Sequence, residues 1–322
     1  MIRAFTPEDY EALAALTCAV MPDYPTTGDE IRLHDARQDP KCLSARWVWE
    51  EDGRLIGAGK YGQWAWMYHP RKFVLDISVL PERQGQGIGR ALYDHVVGAL
   101  AERNPIVLLA NAREDYSRTV RFLQDRGFVA EQREWESRLF MDRYESRGVE
   151  EAAAQVRAHG IEIRSLRELQ DDPDHERKLY ELDWVLLQDV PHTQPLSRTE
   201  FEQWRKRFHG DPGLRPDAYI VAVHGDEYVG LTALWGSQGN ADLYTGLTGV
   251  RREYRRKGIA RAMKLRALDY AKRCGCPVVK TWNEQGNEGM LGINIALGFE
   301  RQPAWIQFAR YLQPPEQGEE NA

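Results

Sequence analysis

VLPERQGQGIG at 79–89 and VRREYRRKGIA at 250–260 are one device written twice. Val79 matches Val250, Gln84 matches Arg255, Gly87 matches Gly258, Gly89 matches Ala260 and Arg90 matches Arg261, each pair 171 residues apart. The same separation carries Gly127-Phe128 onto Gly298-Phe299. Two segments that hold register from a glycine turn to a distant Gly-Phe pair point to a duplicated domain.

Length and composition agree. At roughly 100–200 residues per domain, 322 residues make two. A hydrophobic content of 42% with ten Trp fills two cores and excludes disorder, collagen and small disulfide scaffolds. Cys18, Cys42, Cys274 and Cys276 are too few and too badly spaced for a disulfide framework or a four-ligand zinc site. The eight His form no pair with ligand spacing, so no metal is assigned. No apolar run reaches the ~18 residues of a membrane span, and MIRAFTPEDYEAL carries charges and Pro where a signal peptide is apolar. The expectation is a cytoplasmic protein with no membrane partner. A net charge of −6 argues against nucleic acid and suits a cationic or amine-bearing substrate.

Each copy reads as alternating strand and helix. ARWVWEEDGRLIGAGKYG (45–62) is a hairpin about Asp-Gly, and AYIVAVHGDEYVGLTALWG (218–236) is its counterpart. A strand ends at Val79 and a helix opens at Gly87; in the second copy the strand ends at Val250 and the helix opens at Gly258. The Ala- and Glu-rich segment 146–160 reads as a helical linker with a terminal glycine stop, which divides the chain into 1–145 and 161–322.

A strand, a glycine-rich turn and a helix start aim backbone N–H groups outward, and such a terminus is an anion site. Glycines at 85, 87 and 89 let the main chain approach a phosphate, because no Cβ intervenes. The candidate cradle is Val79, Gln84, Gly85, Gln86, Gly87, Ile88, Gly89 and Arg90, repeated as Val250, Arg255, Arg256, Lys257, Gly258, Ile259, Ala260 and Arg261. Residues 251–273 hold ten bases and two acids, whereas 76–98 hold two bases and three acids, so the second turn is expected to be the stronger trap for a phosphorylated ligand. Neither turn ends in the Lys-Ser/Thr of a P-loop, and Gly85, Gly87 and Gly89 miss the spacing of the dinucleotide fingerprint.

These residues resemble the GNAT acyltransferase superfamily, whose acetyl-CoA signature [QR]-x-x-G-x-[GA] is matched by Gln84, Gly87 and Gly89 and by Arg255, Gly258 and Ala260. The Gly-Phe pairs match the family's second landmark, and the arrangement is similar to the tandem mycothiol-synthase type. The resemblance implies an α/β fold of two tandem domains, each a mixed central sheet flanked by helices. It implies acetyl-CoA held by both turns, splayed parallel strands that receive the pantetheine arm, and an amide near Val79 or Val250 that polarises the thioester carbonyl. It further implies direct attack by a small-molecule or peptide amine in a ternary complex, an N-acetyltransferase reaction.

The departures concern catalysis. The family's proton-donating Tyr is replaced by Leu123 and Asn294, with Tyr116 as a displaced candidate or a packing residue. Asn287 stands where the family often contacts the CoA arm. Asp76, Asp242 and Glu284 are the candidate bases, each with a second reading as a solvated carboxylate. Trp47, Trp49, Trp64 and Trp66 alternate as in sheet packing, an aromatic acceptor pocket being the other option. The bases of 251–273, Asn287 and the turn favour the second copy as the catalytic one. The competing reading is a non-catalytic acyl-CoA-binding sensor or scaffold, and the oligomeric state stays open, a homodimer included.

Overall fold

A computed structural model gives the fold and describes residues 1–313. The first copy runs β1 (Ile2–Ala4), α1 (Tyr10–Val20), α2 (Gly28–Ala36), β2 (Ala45–Glu51), β3 (Arg54–Gly62), β4 (Lys72–Val79), α3 (Ile88–Ala99), β5 (Val107–Arg113), α4 (Ser117–Gln124) and β6 (Val129–Phe140). After α5 (Val149–Arg157) the second runs β7 (Ile161–Ser165), α6 (His175–Leu187), α7 (Phe201–His209), β8 (Leu214–His224), β9 (Glu227–Gly236), β10 (Leu243–Val250), α8 (Ile259–Arg273), β11 (Val278–Glu284), α9 (Glu288–Ala296) and β12 (Glu300–Tyr311). The β2–β3 turn places Asp52 and Gly53 at φ 49° and 74°, the two positive dihedrals that fit the twist of a tight hairpin. Helix α6 is an amphipathic element that the sequence reading did not single out. It buries Leu179, Leu182 and Leu186 against β9 and β10.

The two copies exchange their last strands. Sheet order is β1-β2-β3-β4-β5-β12-β6-β11-β10-β9-β8-β7, one continuous mixed sheet of 12 strands. The second copy's β12 pairs antiparallel with β5 of the first from Trp305–Arg113 to Tyr311–Val107. The first copy's β6 pairs with β11 of the second from Val278–Phe140 to Glu284–Glu134. Packing follows the exchange: Ile306 and Phe308 lie in the core built on Phe73, Leu108 and Phe128, whereas Leu139 and Met141 lie in the core around Met263 and Val279. Phe308, 1% exposed, contributes about 2–3 kcal/mol of burial to the opposite copy.

Loops cross as well. The segment after α1 runs along the exchanged β6, where Asp23 meets Arg138 at 3.0 Å and Arg113 of β5 at 2.7 Å and Tyr24 bonds Glu136, and it reaches the second copy where the Asp23 carbonyl accepts from Lys280 Nζ at 2.6 Å. The two guanidinium groups hold the Asp23 carboxyl at about 2. In return, the segment after α6 reaches the first copy: Ser197 N–H donates to the Trp66 carbonyl at 2.7 Å and its hydroxyl to that of Tyr68 at 3.2 Å. Helix α5 packs on α8 and buries Ala152 and Val156 in the second core.

Candidate functional site

Both glycine turns are built alike. Gly87 and Gly258 are the N-caps of α3 and α8 at φ 87° and 79°, and Gly85 at φ 81° is answered by Arg256 at φ 63°. A left-handed arginine is uncommon, so the second turn keeps its path at some conformational cost. The signature side chains brace the loops: Gln84 Nε2 donates to the Val79 carbonyl at 3.1 Å, and Arg255 Nε to the Val250 carbonyl at 3.0 Å. The first main-chain bonds of the helices are Ala91 to Gly87 and Ala262 to Gly258, so the amides of 85–90 and 256–261 donate to no protein acceptor among the described residues. Two rows of free amides at helix starts fit a pyrophosphate. Ile88 and Ile259 contribute amides only, since their side chains are buried in the cores. A Cβ at Gly89 would meet Phe122 and Val79 at ordinary contact distance, which explains why Ala260 serves in the second turn.

The surroundings differ. Arg118 of α4 stands beside Gly85, while Gln155 of α5 stands beside Gly258. Arg90 is exposed, Gln86 accepts from Arg83, and Arg261 lies near Gly148. The basic excess of the second turn is largely spent: Arg251 pairs with Glu227, Arg252 and Arg255 with Asp189, Arg266 with Glu168, and Arg273 with Asp269. Lys257 lies over the Tyr254 ring and Lys264 is buried. Arg256 and Arg261 of the turn form no ion pair among the described residues, so part of the expected basic charge stays available there.

Each turn follows a strand that parts from its parallel neighbour. β4 and β5 pair only at Lys72–Val107, Phe73–Leu108 and Val74–Leu109, and β10 and β11 only at Leu243–Val279 and Tyr244–Lys280. Beyond these points Leu75–Val79 and Thr245–Val250 border open wedges.

The two wedges face different surroundings. In the first, Val74 and Asp76 line a cavity of about 690 Å³ whose other wall is α6 and α7 of the second copy. Asp76 is exposed, accepts a hydrogen bond from Ser78 Oγ at 3.4 Å, and stands opposite Lys60 in the β3–β4 register without an ion pair to it among the described residues. Trp64 and Trp66, stacked at 5.8 Å beyond the end of β3, line this cavity, Trp64 also packing on the sheet against Val107, Leu109 and Ala309, and Trp235, 171 residues after Trp64, lines it from the second copy. In the second copy a smaller cavity of about 460 Å³ lies beside Tyr244 and Trp235, and an ion pair occupies the point of divergence itself. Lys280 Nζ lies 2.8 Å from Asp242 and 2.6 Å from the Asp23 carbonyl, between the rings of Tyr24 and Tyr244. The Trp235 indole presses on Gly246 where β10 bulges against β9.

The remaining candidates fall as follows. Asp242 is committed to Lys280, and this buried ion pair is the correction to its reading as a free base. Glu284 Oε2 accepts the Gly286 N–H at 2.6 Å and faces Glu134 across the β6–β11 register. Burial, then the Glu284 charge, pushes the Glu134 carboxyl upward. Tyr116 caps α4 with the Arg113 guanidinium 4.6 Å over its ring, a packing contact. Asn287 caps α9 by accepting the Met290 N–H at 3.2 Å. Asn294 is buried, donates to Asn283 at 2.6 Å, and leaves its own Oδ1 without a bond. Lys280, Tyr24 and Asp183 were not legible as site residues, because only the crossing of loops and copies brings them to the wedges.

These turns, wedges and Gly-Phe corners are those of an acetyltransferase fold. The chain belongs to the acetyltransferase (GNAT) family, which matches residues 10–128 and 176–299. It is similar over nearly its full length to a tandem GNAT protein from the clavulanic acid biosynthesis pathway, with 20% identity, a TM-score of 0.76 and coverage of 98% of this chain and 99% of that one. A GCN5-related N-acetyltransferase from Sphaerobacter thermophilus matches with 18% identity and a TM-score of 0.70, over 98% of this chain and 96% of that one. At these identities the likeness is one of fold. No curated protein matches the chain, and no helix among the described residues is long and apolar enough to cross a membrane.

Proposed function

We propose that the protein is a cytoplasmic acetyl-CoA-dependent N-acetyltransferase, and that transfer takes place at the first copy's wedge. The observation that carries this choice is the cavity of about 690 Å³ at Asp76, set against the smaller one of about 460 Å³ beside Tyr244 in the second copy, where the Lys280–Asp242 pair occupies the fork of the strands. This reverses the preference drawn from charge and from Asn287. The free amides of 85–90, with Arg118 beside them, would hold the CoA pyrophosphate, and the wedge between β4 and β5 would take the pantetheine arm. The bound thioester supplies the acyl group.

The chain's own part is to orient the amine and handle its proton. Asp76 accepts a proton from the ammonium group of the acceptor, directly or through water, and frees its lone pair. The amine nitrogen then bonds to the thioester carbonyl carbon, the C–S bond breaks, the thiolate leaves with the sulfur electron pair, and the surplus proton on the new amide nitrogen passes to solvent. A main-chain amide of β4 near Val79 stabilises the oxygen charge in between. Neither Leu123 nor Asn294 supplies a proton to the thiolate, so solvent entering through the wide cavity is assigned that step. The second copy's turn binds CoA in a supporting role.

The test is acetyl-CoA turnover against an amine panel, read as thiol release, with Asp76→Asn beside the wild type. Release that persists unchanged in the variant would remove Asp76 from the reaction. No release with any amine, while acetyl-CoA still binds, would favour a sensor.

A further inference from the structure

The cavity at Asp76 is made by both copies, and its far wall carries a second carboxylate. Asp183 projects from α6 and lines the same space. It is half-buried in the cavity wall, and no Lys, Arg or His among the described residues forms an ion pair with it. Burial pushes its carboxyl up to about 6, against the Trp204 indole and the charge of Arg207, which both favour ionisation. A carboxylate that lines a cavity, is perturbed by partial burial and forms no ion pair is a candidate binding group.

Of the cavity's bases, Arg207 stands near Asp183 without an ion pair of its own among the described residues, and three others are engaged. Lys60 pairs with Asp35 at 3.2 Å, Arg37 with Asp211 at 3.1 Å and Arg198 with Glu181 at 2.7 Å. What the walls offer an amine is two carboxylates free of ion pairs, Asp76 and Asp183, the second with Arg207 nearby, joined by aromatic surface. Trp64 stacks on Trp66, and Trp204 stacks on Phe208 with centroids 4.9 Å apart. Indole faces attract ammonium groups and accept methylene chains without demanding hydrogen bonds.

We infer that the acceptor is an aliphatic diamine or polyamine: its reacting amine sits at Asp76, and its remote ammonium is held by Asp183 of the second copy. This rests on the acetyl-transfer reading for the role of Asp76, but the recognition itself does not require turnover. It also gives the second copy a purpose at the first copy's wedge, as the source of the specificity-determining residue.

The experiment is titration of the full chain with putrescine, spermidine and butylamine, followed by Trp fluorescence and calorimetry, with thiol release measured in parallel in the presence of acetyl-CoA. The wild type is expected to bind putrescine and spermidine at least about tenfold more tightly than butylamine. Asp183→Asn is expected to erase that preference and leave butylamine binding unchanged. Equal binding of putrescine and butylamine by the wild type, or no binding of either, overturns the inference without recourse to a variant. An intact putrescine preference in Asp183→Asn overturns it as well. Selective binding without thiol release leaves this inference standing and sinks the transfer reading. Release from butylamine as fast as from putrescine, with equal binding, does the opposite.

Discussion

Lys280 and Asp242 form an ion pair of 2.8 Å at the fork of β10 and β11, where Leu109 of the first copy has no charge to offer. The ammonium is buried, so its partner cannot be removed cheaply. Asp242→Asn is expected to lower unfolding stability by about 3 kcal/mol in denaturant titration. Acetyl-CoA binding at the first turn should stay unchanged, because that turn lies in the other copy. A stability loss under ~0.5 kcal/mol would show that the pair is dispensable.

Asp76 touches no other acid or base, so its replacement should be a clean test of chemistry. Asp76→Asn is expected to lower kcat by roughly 10²–10⁴ at neutral pH, with the acetyl-CoA Kd unchanged. Pre-steady-state thiol release beside equilibrium binding separates the two quantities.

The two turns can be blocked without straining them. Gly89 and Ala260 are helical positions without the positive φ of Gly85, Gly87 and Gly258, and a Cβ at Gly89 meets Phe122 and Val79 only at ordinary contact distance. An acid in a first helical turn is tolerated by the fold, yet it repels phosphate. Gly89→Glu is expected to abolish turnover and one calorimetric acetyl-CoA site. Ala260→Glu should remove the other site and leave most of the turnover. If turnover is lost only with Ala260→Glu, the assignment of the two copies is the wrong way round.

How much of this was legible beforehand follows from the range of each interaction. The glycine turns, the hairpin at Asp52-Gly53 and the helix starts depend on neighbours in sequence, and the residues carry those instructions locally. The repeat at 171 residues also announced two copies. The exchange of β6 and β12 was invisible, because either closing strand fits either β5 or β11 by pattern alone. For the same reason Asp242 read as a free carboxylate and the arginines of 251–273 as a phosphate trap: their counterions, Lys280, Asp189 and Glu227 among them, arrive from other elements. Trp64 and Trp66 read as strand residues because their spacing is that of a strand, although β3 has already ended at Gly62.

Lys264 offers a test of stability with a defined pH dependence. This lysine of α8 is 4% exposed, faces the Phe299 ring at 5.6 Å, and burial pulls its ammonium down to about 8 from 10.5. The folded state is thus penalised wherever the group is charged in both states, that is below pH 8, and the penalty fades as pH rises from 8 to 10.5. Lys264→Met should therefore stabilise the protein by up to about 3 kcal/mol at pH 7 and by much less near pH 10. A gain that does not change with pH would assign the effect to packing.

The exchanged strands also set a schedule for synthesis. When the ribosome has released everything up to β11, β5 still lacks its neighbour, and VLLANAR at 107–113 presents an open, apolar edge. Only the final strand, Glu300–Tyr311, closes it. The amino-terminal half of the protein is thus finished by the last stretch of chain to be made, so a nascent polypeptide stalled before residue 300 carries an adhesive edge strand however complete its first 145 residues are.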